Sequence, residues 1–308
     1  MRSTSLFVED AGILARDEFE GDQVILRILA PRIAGAALPG TFLHVRCDPT
    51  LPMRRPLSIM AAEPVSGEIT ILFKVVGKGT GLLAEKKVGD RLDIIGPIGV
   101  PFRIPVGRPR ALLLGGGAGI PPMVFLASRL AARREAAAPL PGAAGHEPLL
   151  LMGSEIPFPF DPCPAGVPLP STTTDNPPDA ALPDGVTAAM PVMEALGIPS
   201  RLASRRGYPG AFSGWVTELA KIWLMAQPPD IRRQTALYAC GPEPMLRATA
   251  RLARQFDLPC QVCLEEFMAC GIGACAGCTV PVTTATGAAM RRVCVDGPVF
   301  DAREVFGP

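Results

Sequence analysis

Four cysteines near the C-terminal end constrain this chain more than any other feature. Cys270, Cys275, Cys278 and Cys294 follow the pattern Cys-x4-Cys-x2-Cys-x15-Cys. Three thiolates from one tight loop and a fourth returning from a later strand are the donor set of a [2Fe–2S] cluster. Gly271, Gly273 and Gly277 lie among them, and residues without a Cβ let backbone N–H groups approach the sulfur atoms and tune the potential. A structural zinc site normally pairs two short Cys knuckles, which three cysteines sharing one loop do not. The chain has nine cysteines, five of them between Cys260 and Cys278; in a reducing compartment such density favours metal ligation over disulfides. Cys260 and Cys263 form another Cys-x2-Cys, but with no second pair left over they read as buried thiols. Cys47 and Cys163 carry no signal.

A length of 308 residues suits two domains and an appendage. Lys and Arg number 30 against 29 Asp and Glu, a net charge of +1, so no basic footprint points to nucleic acid or an anionic membrane surface. The segment after Met1 lacks the apolar run of a secretory signal and soon carries Glu9, Asp10, Arg16, Asp17 and Glu18; the expected location is the cytoplasm. Ala111 to Ala132 is apolar and about long enough to span a bilayer. Gly115, Gly116, Gly117, Gly119, Pro121 and Pro122 interrupt it, which predicts a buried strand, a glycine turn and a helix.

Short alternating runs from Gln23 to Gly99 (Val24–Leu29, Thr41–Arg46, Ile69–Val76, Arg91–Ile95) are separated by Pro and Gly, which predicts antiparallel strands closing a small barrel. From Arg110 the rhythm becomes strand, glycine turn, helix: Ala111–Leu114 then Ile120–Arg134, Pro148–Met152, and Thr235–Ala239 followed by a helix from Glu243 to Phe256. That alternation predicts a parallel sheet. Nine prolines between Pro157 and Pro183 predict a surface loop or disordered insertion. After Pro259 the composition shifts to Cys and Gly, marking a compact third module.

Two segments of the first part have the chemistry to hold a diphosphate. Arg54-Arg55-Pro56-Leu57-Ser58 offers a guanidinium, and Gly77-Lys78-Gly79-Thr80 offers a glycine turn before a helix; surface basic residues and a plain hairpin turn look much the same. In the second part Gly115 to Gly119, including Gly116, Gly117 and Gly119, sits between strand and helix, where a backbone can approach a pyrophosphate. A plain strand–helix connection also fits. Cys240-Gly241-Pro242 closes a second apolar strand before a helix.

An R-P-L-S segment, a G-x-G-T turn, Gly115-Gly116-Gly117-Ala118-Gly119-Ile120-Pro121-Pro122 and Cys240-Gly241-Pro242, in that order, resemble the ferredoxin-NADP reductase superfamily. Within it, Glu265-Glu266-Phe267-Met268-Ala269-Cys270-Gly271-Ile272-Gly273-Ala274-Cys275 and Cys294-Val295-Asp296-Gly297-Pro298-Val299-Phe300 closely resemble the electron-transfer subunits of the two-subunit, NAD-linked dihydroorotate dehydrogenases. The resemblance implies an N-terminal antiparallel flavin-binding β-barrel over residues 1–106. A parallel-sheet nucleotide-binding domain over 107–259 and a small C-terminal [2Fe–2S] module over 260–308 would follow. It also implies that Arg55, Pro56, Leu57 and Ser58 cradle FAD, beside Leu72, Phe73 and Lys74, with Gly79 and Thr80 at its pyrophosphate. Where many members of the superfamily have an aromatic residue, this chain has Leu57, as the dihydroorotate branch does. Cys240 would lie near the nicotinamide. Ser204-Arg205-Arg206 falls where relatives meet the adenosine ribose; arginines there can accommodate a 2′-phosphate, so NADP(H) stands beside NAD(H), and a solvated loop is the bland alternative.

The function implied is an electron relay in pyrimidine biosynthesis. Electrons pass from a nicotinamide dinucleotide through FAD and the cluster to the FMN of a catalytic subunit, in a heterotetramer. Two alternatives stand beside it. One is the corresponding subunit of a sulfide dehydrogenase or ferredoxin-dependent NADP reductase, relatives that typically have an acidic residue where this chain has Cys270. The other is a simple cluster-binding carrier with a degenerate flavin site.

Overall fold

A computed structural model of the protein describes residues 6–135, 145–170 and 182–307. The chain divides into two compact units, Met1–Phe102 with Cys263–Phe300, and Arg103–Val262 with Asp301–Pro308.

In the first unit, six strands close an antiparallel barrel: β1 (Phe7–Phe19), β2 (Gln23–Leu29), β3 (Phe42–Val45), β4 (Arg55–Glu63), β5 (Glu68–Lys74) and β6 (Arg91–Ile98), in the order β1-β2-β5-β4-β3-β6. Alternation along the strands sends Leu26, Ile28, Ile59, Ile69 and Ile71 to a fully buried interior, each side chain contributing about 1.5–3 kcal/mol of apolar burial. Two short helices, α1 (Pro31–Ala36) and α2 (Lys78–Ala84), sit in the connections. The predicted strands are present. Strand β1 is an addition, because its charges and a bulge between Ile13 and Ala15 break the two-residue period that identifies a strand in sequence. Strand β4 is the other: the R-P-L-S segment is itself a barrel strand, with Pro56 directly opposite His44 on β3.

The second unit is built on parallel strands β7 (Arg110–Gly116), β8 (Glu147–Gly153), β11 (Ser200–Ser204), β12 (Phe212–Ser213) and β13 (Thr235–Cys240), ordered β12-β11-β8-β7-β13 with β14 (Cys260–Cys263) beyond β13. Leu112, Leu113, Leu114, Leu150, Leu151 and Leu237 are all buried, as expected of central parallel strands covered on both faces. Helices α3 (Ile120–Glu135), α4 (Pro191–Ala195), α5 (Val216–Ala226), α6 (Pro229–Arg233), α7 (Glu243–Gln255) and α8 (Ala302–Phe306) complete it. The apolar stretch Ala111–Ala132 is thus strand, turn and helix, and among the described residues no helix is long and apolar enough to cross a membrane.

The described part of the proline-rich insertion is a loop with mostly exposed or half-exposed residues, as expected, but it is pinned to the rest of its unit; residues 171–181 lie outside the described residues. Strands β9 (Cys163–Pro164) and β10 (Ala188–Ala189) pair, and Phe158, Leu169 and Leu182 are buried. Glu194 on α4 accepts from the N–H groups of Gly166 and Val167 at 2.7 and 2.8 Å. Proline forbids ladder donors but not side-chain burial, so a chain rich in it can still be fastened at a few points. Back in the first unit, β15 (Thr279–Thr284) and β16 (Gly287–Arg292) form an antiparallel hairpin between Cys278 and Cys294.

Candidate functional site

Hairpin β15–β16 explains the long spacing before the fourth cysteine. Its strands are in register from Thr279↔Arg292, so Cys278 and Cys294 flank its open end, and their sulfur atoms lie 3.3 Å apart. The other two thiols form a second group: the Cys275 N–H donates to Cys270 Sγ at 3.4 Å, and the Gly277 N–H to Cys275 Sγ at 3.4 Å. Among the described residues, no three His, Cys, Asp or Glu converge on a single ion-sized point. Two pairs of thiols suit two irons better than one zinc.

The loop also sets the charge state of its thiols. Burial pushes Cys270 up, but the N–H groups of Ile272, Cys275 and Ala274 turned on its sulfur outweigh this and bring its pKa to about 6. Burial, then Cys278 beside it, push Cys294 up to about 12. Amide donors aimed at a thiolate are what a cluster ligand uses. The donor set and its hydrogen bonds fit a [2Fe–2S] cluster held by Cys270, Cys275, Cys278 and Cys294. Cys275 is exposed, so the loop's rim reaches the surface. Cys260 and Cys263 are buried three positions apart on β14, which puts them on opposite faces of the strand.

The two arginines of the R-P-L-S segment have different duties. Arg54 is taken up within the barrel: its Nη2 lies 2.6 Å from Asp93 Oδ2 and its Nη1 donates to the Asp93 carbonyl at 2.7 Å. Arg55 donates only to the carbonyls of Met53 and Arg54 and has no carboxylate partner among the described residues. A Cβ on Gly79 would lie 2.8 Å from Arg55 Nε, so the fold brings together an unneutralised guanidinium and a glycine turn that are far apart in sequence. That pairing fits a phosphate group. The Thr80 hydroxyl accepts from the N–H groups of Val76 and Gly77 at 3.0 and 3.3 Å and so shapes the turn. Strands β4 and β5 are neighbours, which puts Leu72, Phe73 and Lys74 beside Arg55–Ser58; Leu57, Leu72 and Phe73 are buried and Lys74 is exposed.

His44 had no signal in the sequence. It is fully buried, and neither ring nitrogen has a hydrogen-bond partner. Burial, then the charge of Arg54, lower its pKa, against the nearby backbone of Cys270, Arg54 and Met268, which favours the charged form without closing a hydrogen bond.

In the second unit, Gly116, Gly117, Gly119, Cys240, Gly241 and Pro242 meet at the C-terminal edge of β7 and β13, where ligands bind in open parallel sheets. A Cβ on Gly119 would strike the Cys240 carbonyl at 2.1 Å, so only glycine lets these two turns close on each other. Ser204 ends β11 on the same edge, and its hydroxyl accepts from the Arg206 N–H at 3.1 Å. Glu155, just past β8, was missed in the sequence: its carboxylate accepts from the Arg205 N–H and guanidinium. Arg205 also lies 3.8 Å over the Trp215 ring. The end of β8 would have pointed to Glu155, since the residue just beyond a parallel strand belongs to this edge.

Residues 265–306 match the family described as the iron–sulfur cluster binding domain of dihydroorotate dehydrogenase B. Over nearly its whole length the chain is similar to the dihydroorotate dehydrogenase B (NAD(+)) electron transfer subunit of Desulforamulus reducens, at 32% identity over 302 residues covering 97% of this chain and 98% of that one. The chain belongs to this family. The subunit of the same description from Bacillus caldolyticus is 35% identical, covering 87% of this chain and 86% of that one. The fold is also that of a solved NADH-dependent reduced ferredoxin-NADP oxidoreductase, described in the context of flavin-based electron bifurcation, with a TM-score of 0.70 and 25% identity over 99% of this chain and 91% of the other. As an electron transfer subunit of this family the chain is an oxidoreductase component, and the resemblance read from its motifs extends over the flavin, nucleotide and cluster segments alike.

Proposed function

We propose that this chain carries electrons between a nicotinamide dinucleotide and the FMN of a dihydroorotate dehydrogenase catalytic subunit, in pyrimidine biosynthesis. The route is FAD and a [2Fe–2S] cluster. The observation that carries the reading is the coexistence, in one compact unit, of an unpaired Arg55 against Gly79 and the two thiol pairs. FAD supplies the step from two-electron to one-electron chemistry. Arg55 and Gly79 would hold its diphosphate, Pro56, Leu57 and Ser58 its ring-side portion, and the four cysteines the cluster. Gly116, Gly117, Gly119, Ser204, Arg205, Cys240, Gly241 and Pro242 would receive the dinucleotide, read as NAD(H). The division into a flavin barrel (1–106), a nucleotide domain (107–259) and a cluster module (260–308) belongs to the same reading, as does a cytoplasmic location.

The partner would dock where the cluster rim is exposed. Phe267, Ile272 and Val295, within or next to the cysteine segments, have exposed apolar side chains, Phe267 being 94% exposed, which suits burial under another protein. Co-expression with an FMN-containing dihydroorotate dehydrogenase chain should yield a stable heterotetramer that couples dihydroorotate oxidation to NAD+ reduction, while this chain alone should not oxidise dihydroorotate. A preparation with full FAD and cluster content that binds no such chain would refute the assignment of partner. The likeness to the ferredoxin-NADP oxidoreductase supports a second reading, in which the partner belongs to a reductase of that kind, and the same co-purification distinguishes them. Absence of flavin absorbance would favour a plain cluster carrier.

A further inference from the structure

His44 is a buried position of the barrel that touches both the R-P-L-S strand and the cysteine loop. On β3 it stands directly opposite Pro56. On its other side it packs on Gly271: a Cβ there would lie 2.7 Å from His44 Nδ1. Gly271 has φ +69°, a conformation that glycine adopts without strain, so its lack of a side chain serves both the turn and the ring. A fully buried imidazole with neither nitrogen satisfied is costly, and the backbone of Cys270, Arg54 and Met268 is polar surface close to it.

We propose that His44 is a positioning residue for the cluster. Its ring holds the Cys270–Gly271 peptide against β4, keeping the N–H groups of Ile272, Ala274 and Cys275 turned on the Cys270 sulfur and so fixing the cluster's reduction potential. His44 itself gains and loses neither proton nor electron; it acts through the loop. The inference rests on the reading of the four cysteines as cluster ligands.

The chain has two histidines, His44 and His146, which makes isotope labelling selective. In the holoprotein grown with 15N-histidine, pulsed EPR of the reduced cluster should show a weak 15N coupling that survives His146→Gln. A cluster signal without that coupling overturns the proposal; no cluster signal at all overturns the underlying cluster assignment instead. In a redox titration, His44→Leu should lower the equilibrium between reduced and oxidised cluster about three- to tenfold, the scale of one hydrogen bond, and His44→Asn should restore part of it. Full cluster content with an unchanged potential in His44→Leu would overturn the role. If His44→Leu fails to fold, the wild-type coupling decides, together with Gly271→Ala, which presses on the ring from the loop side and should lower the same equilibrium.

Discussion

Glu155 holds Arg205 at both ends of the residue, accepting from its backbone N–H at 3.2 Å and from its guanidinium at 3.3 Å. With its guanidinium also lying over the Trp215 ring, the arginine that could recognise a 2′-phosphate is already engaged. The competition therefore favours NADH over NADPH. The pair is half exposed and so worth about 1 kcal/mol at most, which makes the preference adjustable. Glu155→Gln should raise the NADPH to NADH ratio of kcat/KM about fivefold, the rate equivalent of that energy, measured by stopped-flow reduction of bound FAD. A strong NADPH preference in the wild type that vanishes in Arg205→Ala would contradict the argument.

Arg54 and Arg55 are neighbours that should fail differently. Arg55→Ala removes a charge-assisted phosphate contact of about 1.5–3 kcal/mol, so FAD retention after dialysis should weaken at least tenfold with little change in the stability of the flavin-free protein. Arg54→Ala leaves Asp93 without its partner. Because that carboxylate is partly exposed, the loss should be about 1 kcal/mol in urea unfolding, with FAD retained. Equal flavin loss in both variants would show that the division of labour is wrong.

The features legible in the sequence were those written in short stretches of chain. Cysteine spacing, the glycine turns and the alternation of β2, β5 and β6 depend on residues close together, and the fold holds them where the pattern suggests. What was hidden is what the fold brings together from a distance. Nothing near His44 announces that Gly271 will lie on its ring, and the pairing of Glu155 with Arg205 appears only once β8 and β11 are neighbours in register. The β4 strand was obscured by Pro56, a residue that ordinarily argues against strand interiors. Its missing N–H is tolerated beside His44, where the barrel meets the cysteine loop.

Cysteine replacements should separate ligands from buried thiols. Cys270→Ala, Cys275→Ala, Cys278→Ala and Cys294→Ala should each abolish the visible [2Fe–2S] spectrum. Cys260→Ala and Cys263→Ala should keep it and lose at most about 1–2 kcal/mol of stability, as small buried side chains do. Iron analysis and absorbance check the first group and thermal unfolding the second. A spectrum that survives in all four of the first group would remove the assignment.

Before iron is inserted, the loop should announce itself by its acidity. Burial pushes the Cys270 thiol up, but the amides of Ile272, Cys275 and Ala274 bring it down to about 6, whereas a free thiol ionises near ~8.5. A pKa depressed in the folded state adds stability that is fully present above the unfolded value and is lost as pH falls through about 6. Cys294 works in the opposite sense. Burial and Cys278 raise it to about 12, so its contribution is complete below ~8.5 and is lost as pH climbs toward about 12. The two effects together place the greatest stability of the cluster-free protein near ~8.5 as far as these thiols are concerned. Because the thiolate is the nucleophile, iodoacetamide should label Cys270 with a half-maximal rate near pH 6 while Cys294 stays unlabelled at neutral pH, read peptide by peptide by mass spectrometry. Comparable labelling of both at pH 7 would mean that the amides do not face Cys270 until the cluster is in place.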